Sequence, residues 1–282
     1  MNSGTAVPVS PFIVVKAAGE MASAVAWRLY MANMRRICML DLDRPLCVRR
    51  QVSFCRALES GSAGVEGVQA TAARNWNEVD AAWNSGTIAV VRTSDLTRME
   101  PRTPDVVIDA ILAKRNLGTR IGEAGLVIAL GPGFEAGRDC HFVIETNRGH
   151  DLGRIIASGP AAPNTGIPGD IAGQTDARVL RAPVDGRFQS ERSIGDLVRA
   201  NDIVGYVGAK PLTARLDGML RGLIGAGTDV AVGMKLGDID PRGRREYCDT
   251  ISDKARAIAG SVLECVLRHC NRPGPPRPSA RC

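Results

Sequence analysis

The sequence is poor in aromatic residues and in histidine, and it has no long apolar run. Phe, Trp and Tyr make up 4% of the 282 residues, and three residues are histidine. Nucleic-acid-binding surfaces usually combine a clustered basic face with aromatic stacking platforms. Here the net charge is +6, but the Lys and Arg residues are spread along the chain. The apolar segments have the length of strands and not of membrane spans. We therefore expect neither nucleic acid nor a membrane as a partner.

Cysteine spacing and the N-terminal sequence both argue against a secreted protein. The eight cysteines follow no signal-like apolar stretch, which indicates free thiols in a reducing compartment. Cys38, Cys47 and Cys55 lack the Cys-x-x-Cys spacing of a zinc site. Cys265 and His269 lie one helical turn apart, but helix packing explains this cysteine more simply. We expect a cytoplasmic protein without a metal site.

An internal repeat occupies the second half of the chain. Residues 182–186 (Ala-Pro-Val-Asp-Gly) return as residues 214–218 (Ala-Arg-Leu-Asp-Gly), and Gly195 returns as Gly227. Each unit predicts three short strands separated by an Asp-Gly turn and a Gly turn. The pattern resembles the two halves of a biotinyl/lipoyl-type barrel-sandwich domain. Lys210 lies between the halves, but its Gly-Ala-Lys-Pro context differs from that of a modified lysine, so we expect no biotin or lipoate on it.

The N-terminal segment predicts a strand, a helix and a second strand. Residues 11–41 carry this pattern, and the second strand ends at Asp41, where a dinucleotide-binding fold holds a ribose. The first turn has Gly19 alone in place of three glycines. Glu20 also places negative charge where a phosphate would lie at the helix N-terminus. The pattern favours a Rossmann-like scaffold with another ligand, or with none, over classical dinucleotide binding.

Five more strand-sized apolar segments follow before residue 160, which predicts a doubly wound, mostly parallel sheet. Several end in polar or glycine-rich loops, and ligand sites of such folds lie at the carboxyl ends of the strands. The predicted ligand or catalytic residues are Lys114, Glu145, Arg148 and His150. The predicted cofactor-binding residues from this reasoning are Gly19, Asp41, Arg49, Arg50, Gly131 and Gly133. The two arginines either clamp a phosphate or carboxylate or form a solvated loop edge.

A change of composition after Ser158, dense in Pro and Gly, divides the chain. The predicted fold is α/β, with an N-terminal Rossmann-like doubly wound sheet, a C-terminal β-rich barrel-sandwich domain and a terminal helix. The predicted parts are an α/β domain (1–160), a connection (161–180), the repeat domain (181–245), an amphipathic helix (246–270) and a disordered tail (271–282).

Several segments together resemble the YqeB-type family, accessory proteins of selenium-dependent molybdenum hydroxylases. They include residues 15–23, 48–54, 65–68, 113–116, 131–134, 145–153, 164–166 and 235–242. The resemblance carries Lys16 and Ser23 over as candidate binding residues. The family pattern at the first turn is closer to Lys-Gly-Ala-Gly-Asp, where this chain has Ala17 and Glu20.

The resemblance implies a cytoplasmic factor in the maturation of a molybdenum enzyme. Its implied partners are a molybdenum hydroxylase or the proteins that assemble its cofactor. The candidate ligands are a molybdopterin-type cofactor, a nucleotide or NAD(P).

Three functions remain open from the sequence. The first is an accessory protein that binds an anionic or phosphate-bearing cofactor-like ligand at the strand ends. The second is a nicotinamide- or flavin-dependent oxidoreductase with His150 or Lys114 as general acid or base. The third is a non-enzymatic scaffold that docks onto a hydroxylase, or onto another copy of itself, through the β domain.

Overall fold

The computed structural model describes residues 10–166 and 169–271. Apart from Asn271, the predicted disordered tail lies outside the described residues. The described chain is a mixed α/β structure with one large sheet, two four-stranded sheets and a two-stranded ribbon. None of the helices in the described ranges combines the length and the apolar character needed to cross a membrane.

The large sheet contains nine strands. They are β1 (Ile13–Lys16), β2 (Ile37–Asp41), β3 (Ser62–Val65), β4 (Val68–Ala73), β5 (Ile88–Arg92), β6 (Val106–Asp109), β7 (Leu126–Leu130), β9 (Phe142–Ile144) and β10 (Ile155–Ile156). The ribbon pairs β8 (Glu135–Ala136) with β11 (Gly159–Pro160). In space the strands of the large sheet follow the order β10-β9-β7-β6-β1-β2-β5-β4-β3. Pairing is parallel from β4 through to β9 and antiparallel at the two edges, β3–β4 and β9–β10.

The parallel strands are apolar over their whole length because both faces of the sheet are covered. The helices are α1 (Glu20–Met31), α2 (Ala57–Ser60), α3 (Trp76–Asn84), α4 (Thr93–Leu96), α5 (Glu246–Asp249) and α6 (Asp253–Cys270). Helices α1 and α6 share one core with one face of the sheet, with Leu29 and Ile258 fully buried in it. Helix α3 covers the other face, where Phe12 meets the edges of Trp76 and Trp83 at centroid distances of 5.9 and 5.5 Å.

Helix α6 is built from the last described part of the chain but packs within the large α/β layer. Only a short 3-10 turn (Ile121–Glu123) lies between β6 and β7, so the connection supplies no α-helix to cover these strands. Helix α6 fills this place against α1, β7 and β9. Ser252 caps its N-terminus by accepting from the Ala255 N–H at 3.3 Å, and Val262 lies on its buried stripe. The N-terminus of α6 is thereby brought to the strand ends where a site is expected.

The β-rich part consists of the repeat. Its strands are β12 (Val179–Arg181), β13 (Gly186–Gln189), β14 (Leu197–Val198), β15 (Ile203–Val207), β16 (Lys210–Thr213), β17 (Gly218–Leu223), β18 (Asp229–Val230) and β19 (Lys235–Asp240). They form two sheets, β12-β19-β17-β14 and β16-β15-β13-β18. Exchanging each strand of the first half for its equivalent in the second (β12 for β16, β13 for β17, β14 for β18, β15 for β19) converts one sheet order into the other. The sequence repeat is therefore an approximate two-fold symmetry of the structure.

Each half contains four strands where the sequence predicts three. The extra division falls at the turn between β14 and β15. Asn201 at this turn has φ 74°, the left-handed conformation that Asn tolerates without glycine. In the first half this turn therefore carries no glycine to mark it in the sequence, whereas the equivalent turn between β18 and β19 contains Gly233 with φ 79°. Strand β14 is also only two residues long, too short for an alternating apolar pattern to show it.

Candidate functional site

Two adjoining cavities lie at the carboxyl ends of the parallel strands, where the large sheet meets the β-rich part. One has a volume of about 490 Å³ and is lined mainly by charged side chains; we call it the cationic cavity. The other has a volume of about 660 Å³ and is lined mainly by apolar ones; we call it the apolar cavity. The residues that line both are Glu20, Met21, Arg49, Lys235 and Lys254. Because they share a wall, we treat the two cavities as one cleft.

The cationic cavity carries a large excess of positive charge. Its cationic lining residues are Arg49, Lys114, Arg148, Arg178, Arg181, Arg221, Lys235 and Lys254. Its acidic lining residues are Glu20, Glu145 and Asp238. Eight cations thus face three carboxylates. A concave surface of one sign focuses its field on the enclosed volume, so this half of the cleft attracts anions.

Arg178, Arg221 and Lys235 are held by one buried carboxylate, Asp238, whose side chain is 1% exposed. Arg178 pairs with one Asp238 oxygen, while Arg221 donates to the other from Nε at 2.9 Å. Burial alone would raise the pKa of Asp238, but the three cations outweigh it and the pKa is lowered. Burial and the nearby arginines in turn lower the pKa of Arg178 more than Asp238 raises it. The cluster is therefore short of negative charge.

Arg148 is also paired, by a link between the end of β9 and the start of α6. Its two terminal nitrogens donate to the two oxygens of Asp253 at 2.7 and 2.8 Å. The hydrogen bonds from this guanidinium hold the pKa of Asp253 well below its usual range. A bidentate pair of this kind orients both groups. Arg148 thus ties the predicted site loop to α6 and has its strongest donors occupied.

Lys114 and Lys254 differ from the other cations of the cleft. Within residues 10–166 and 169–271, neither ammonium makes a hydrogen bond or a salt bridge. Loss of hydration in the cleft lowers the pKa of both groups. Repulsion from Lys114 and Arg148 lowers the pKa of Lys254 further, so the two lysines are within electrostatic reach of each other. Both lysines line the cationic cavity, and ammonium groups whose donors are unused among the described residues form a site for an anion.

Glu145 is nearly buried, at 4% exposure, and acts as a brace. One of its oxygens accepts from the Asn147 N–H at 2.6 Å and the other from the Ala162 N–H at 2.7 Å. These contacts fasten the segment after residue 160 over the cleft. The same carboxylate raises the pKa of Lys114, against the larger effect of lost hydration. Glu145 therefore positions the cleft wall and sets part of its field.

The apolar cavity lies over the ends of β1, β2 and β6. Its rim exposes large aliphatic side chains, and Leu46 and Ile111 are 48% and 41% exposed. Asp41 lies at its base and accepts from the Ala18 N–H at 2.8 Å, so it braces the first turn. Burial raises the pKa of Asp41. Lys16 also lines this cavity but is paired with Glu123 at 2.6 Å. Exposed aliphatic side chains around a concave surface suit a flat, weakly polar ligand.

The N-terminus of α1 lies at the shared wall, and a carboxylate of the protein lies beside it. Glu20 accepts from the Ser252 hydroxyl at 3.0 Å and lies 3.4 Å from a terminal nitrogen of Arg49. Arg49 is 4% exposed and also donates to the Tyr247 and Thr250 carbonyls at 2.9 and 3.1 Å. Glu20 thus places negative charge beside this helix end, where an external anion would otherwise bind.

The cleft contains many of the predicted site residues. Those that line it are Lys16, Gly19, Asp41, Arg49, Lys114, Glu145 and Arg148. His150 is not among the lining residues and is exposed on the loop after β9. Arg50 pairs with Glu59 at the surface. The structure does not bring these last two side chains to the cleft.

Three other predicted residues serve the fold around the cleft. Ser23 is fully buried, donates to the Ala18 carbonyl at 2.9 Å and accepts from the Phe54 N–H at 2.8 Å. A Cβ on Gly133 would lie 2.5 Å from the Cα of Arg115, so this glycine makes room for the loop that carries Lys114. A Cβ on Gly131 would likewise lie 2.5 Å from the Thr146 hydroxyl. At both glycines the atoms that come close to the backbone belong to other residues of the protein, not to a ligand.

Sequence reasoning missed Lys254 and the pair Arg178 and Arg221. An exposed lysine near the start of an amphipathic helix is ordinary, and only the packing of α6 places Lys254 in the cleft. The arginines had an indirect signal. Asp238 and Asp240 alternate with apolar residues in the second half of β19, and buried carboxylates need cationic partners, here mostly from elsewhere in the chain.

The fold and the cleft together define the class of protein. It combines an α/β sheet with a pseudo-symmetric β module, and the two enclose a cationic and an apolar cavity. In sequence, the chain is similar to the uncharacterized protein YqeB of Escherichia coli (strain K12), with 47% identity over 255 residues. The match covers 90% of this chain and 47% of YqeB, so the chain spans about half the length of the curated relative it matches. This confirms the predicted likeness to YqeB, and it carries no information on molybdenum or selenium. No family model matches the chain.

Solved structures give only weak likenesses. An aspartoacylase family protein from Mesorhizobium loti has a TM-score of 0.22 and 19% identity over 24% of each chain. A succinylglutamate desuccinylase/aspartoacylase from Rhodobacter sphaeroides has a TM-score of 0.21 and 22% identity over 31% of this chain and 30% of that one. The ectoine utilization protein EutE (DoeB) from Ruegeria pomeroyi has a TM-score of 0.23 and 12% identity over 80% and 56%. Scores of this size support no inference about fold or activity.

Proposed function

We propose that this protein binds an anionic, phosphate-bearing cofactor-like ligand in the cleft and acts as an accessory factor in the maturation of a molybdenum hydroxylase. The observation that carries the binding part is the pair Lys114 and Lys254, which make no hydrogen bond or salt bridge to any described residue, in a cavity with eight cations and three carboxylates. The molybdenum part rests on the family resemblance alone. The implied partners are the hydroxylase itself or the proteins that assemble its cofactor.

The topology supports a Rossmann-like assignment for the large sheet. With β4 set aside as an additional parallel strand next to β5, the strands β5-β2-β1-β6-β7-β9 follow, numbered along the chain, the order 3-2-1-4-5-6 of a doubly wound dinucleotide-binding sheet. The strand order reverses between β1 and β6, and the apolar cavity lies at their carboxyl ends. Ligands of such sheets bind at this point of reversal. The pseudo-symmetric pair of four-stranded sheets similarly supports a barrel-sandwich assignment for the β-rich part.

The oxidoreductase alternative has less support, because His150 lies outside the cleft and cannot serve there as acid or base. Without His150 beside it, Lys114 serves in this arrangement as a cation that binds the ligand. A scaffold function through the β-rich part has no observation of its own in its favour.

Thermal-shift and equilibrium-dialysis screening tests the proposal. The ligands are molybdopterin, mononucleotides, NAD and NADP, each with the purified protein. A ligand present at about one hundred times its Kd stabilises the folded protein by about 2.7 kcal/mol, which is readily measured. We expect stabilisation by at least one phosphate-bearing compound and none by its unphosphorylated counterpart. If no compound changes the melting temperature or is retained in dialysis, the proposal is wrong.

A further inference from the structure

We infer that the cleft binds the phosphate ester of a flat heterocycle. Its anion lies between Lys114 and Lys254, away from the N-terminus of α1, and its ring lies in the apolar cavity. This inference deepens the proposed function and rests on it. It names the chemical class as a flat, weakly polar heterocycle that carries a phosphate or diphosphate ester. It also reverses the usual arrangement of this kind of sheet, in which the helix N-terminus holds the phosphate.

The first step is that a carboxylate of the protein lies beside the N-terminus of α1, although it does not cap the helix N–H groups. Glu20, its first residue, is fixed by the Ser252 hydroxyl at 3.0 Å and by Arg49. A phosphate there would meet a like charge at close range. Arg49 could not turn to receive the phosphate instead, because it is 4% exposed and bound to two backbone carbonyls of the segment before α6.

The second step is that the remaining arginines of the cationic cavity are committed to internal partners. Arg148 is bidentate to Asp253, and Arg178 and Arg221 are bound to Asp238. Arg181 donates to the Gly233 carbonyl at 3.1 Å. Lys114 and Lys254 hold no such partner among the described residues. Their charges repel each other in partly dehydrated surroundings. An anion between them relieves this repulsion and supplies acceptors for both ammonium groups.

The third step is that one ligand can reach both cavities. Lys254 and Met21 line the cationic and the apolar cavity alike. A molecule anchored on Lys254 therefore has its next atoms at the shared wall and its ring under the aliphatic rim formed by Leu46 and Ile111. A simple inorganic anion would leave this rim exposed, and a neutral ring would leave the lysines without a partner.

The experiment uses calorimetric titration of the full chain with matched probes. FMN and riboflavin, and AMP and adenosine, differ only in the phosphate, while inorganic diphosphate lacks a ring. The variants are Lys114→Met, Lys254→Met and Lys254→Arg, with Lys210→Met as a control for loss of one exposed lysine elsewhere. Melting curves by circular dichroism establish that each variant folds. We expect them to fold, because neither lysine has a hydrogen bond to another described residue to lose.

We expect FMN or AMP to bind at least about tenfold more tightly than its unphosphorylated counterpart. Each of the two Met variants should lose at least about tenfold of this affinity, as is typical when one partner of a partly buried charge pair is removed. Diphosphate binding should fall with it, and riboflavin or adenosine binding should not. Lys254→Arg should restore most of the loss, and Lys210→Met should bind as the parent does. Leu46→Asn, a neutral substitution, should weaken the ring-bearing probes and leave diphosphate unchanged.

Three results would overturn the inference in distinguishable ways. If FMN or AMP binds and both Met variants bind it like the parent, the anion lies elsewhere, while the proposed function stands. If Glu20→Gln strengthens phosphate binding more than about tenfold and the lysine variants do nothing, the anion lies on α1. If no probe binds at millimolar concentration, both the inference and the proposed function fail.

Discussion

Replacing Asp238 by Asn is expected to destabilise the protein while it strengthens anion binding. The substitution keeps the shape of the side chain but removes the charge that holds Arg178, Arg221 and Lys235. Removing one partner of a buried ion pair costs about 3–5 kcal/mol. The lower end applies here, because Arg221 keeps Asp240 at 3.4 Å and Arg178 keeps the Gly169 carbonyl at 3.0 Å.

A loss of about 3 kcal/mol corresponds to a fall in Tm of about 6–12 °C, at about 2–4 °C per kcal/mol for a chain of this size. Urea unfolding followed by circular dichroism measures the free energy directly. The matched control is Asp229→Asn, an exposed aspartate in the same β-rich part, for which we expect a change below about 0.5 kcal/mol. Diphosphate affinity should rise severalfold in the Asp238 variant, because the cationic cavity loses one of its three carboxylates.

The contribution of Asp238 to the free energy of unfolding depends on pH in a defined direction. The pKa of Asp238 is lower in the folded protein than in the unfolded chain. Its contribution to stability is therefore fully present above the unfolded pKa of about 3.9 and is lost as the pH falls through the folded value. Parent and variant should differ at neutral pH and converge in acid. A loss below about 1 kcal/mol at pH 7, or weaker diphosphate binding, would refute the electrostatic reasoning.

Three further predictions concern single residues around the cleft. Ala17 has φ 89°, so Ala17→Gly should raise the free energy of unfolding by about 0.5–1 kcal/mol in urea titrations; a loss would contradict a strained turn. Gly133→Ala should cost about 2–4 kcal/mol and weaken diphosphate binding, because the new Cβ would meet the backbone at Arg115; a change under about 0.5 kcal/mol would contradict the close approach. The pKa of Lys254 is lower in the folded protein, so its charge destabilises the fold at neutral pH, and stability relative to Lys254→Met should rise as the pH approaches the unfolded value of about 10.4. A difference that stays constant with pH would argue against this shift.

Much of the local structure could be predicted from the sequence because local patterns encode it. The strand, helix and strand predicted over residues 11–41 correspond to β1, α1 and β2. The repeat at residues 182–186 and 214–218 leads into equivalent strands, β13 and β17. The terminal helix could also be predicted from its apolar stripe, which must pack against another part of the protein. The surface against which this helix packs could not be predicted, because an amphipathic pattern does not specify it.

The site was only partly predictable for the same reason. Residues at strand ends, such as Lys114 and Glu145, follow from the general position of ligand sites in parallel sheets. Lys254 reaches the cleft only through the packing of α6 on α1. That Lys114 and Lys254 have no acceptor among residues 10–166 and 169–271 is a property of the folded arrangement, since no sequence pattern states that a lysine lacks an acceptor.

The position of a bound anion tests the central claim most directly. A crystal structure of the full chain grown with inorganic diphosphate would show it. We predict diphosphate oxygens at about 2.7–2.9 Å from the Nζ atoms of both Lys114 and Lys254, the distance of a charge-assisted hydrogen bond. Diphosphate on the backbone N–H groups at the start of α1, or a cleft that stays empty at saturating diphosphate, would contradict the account.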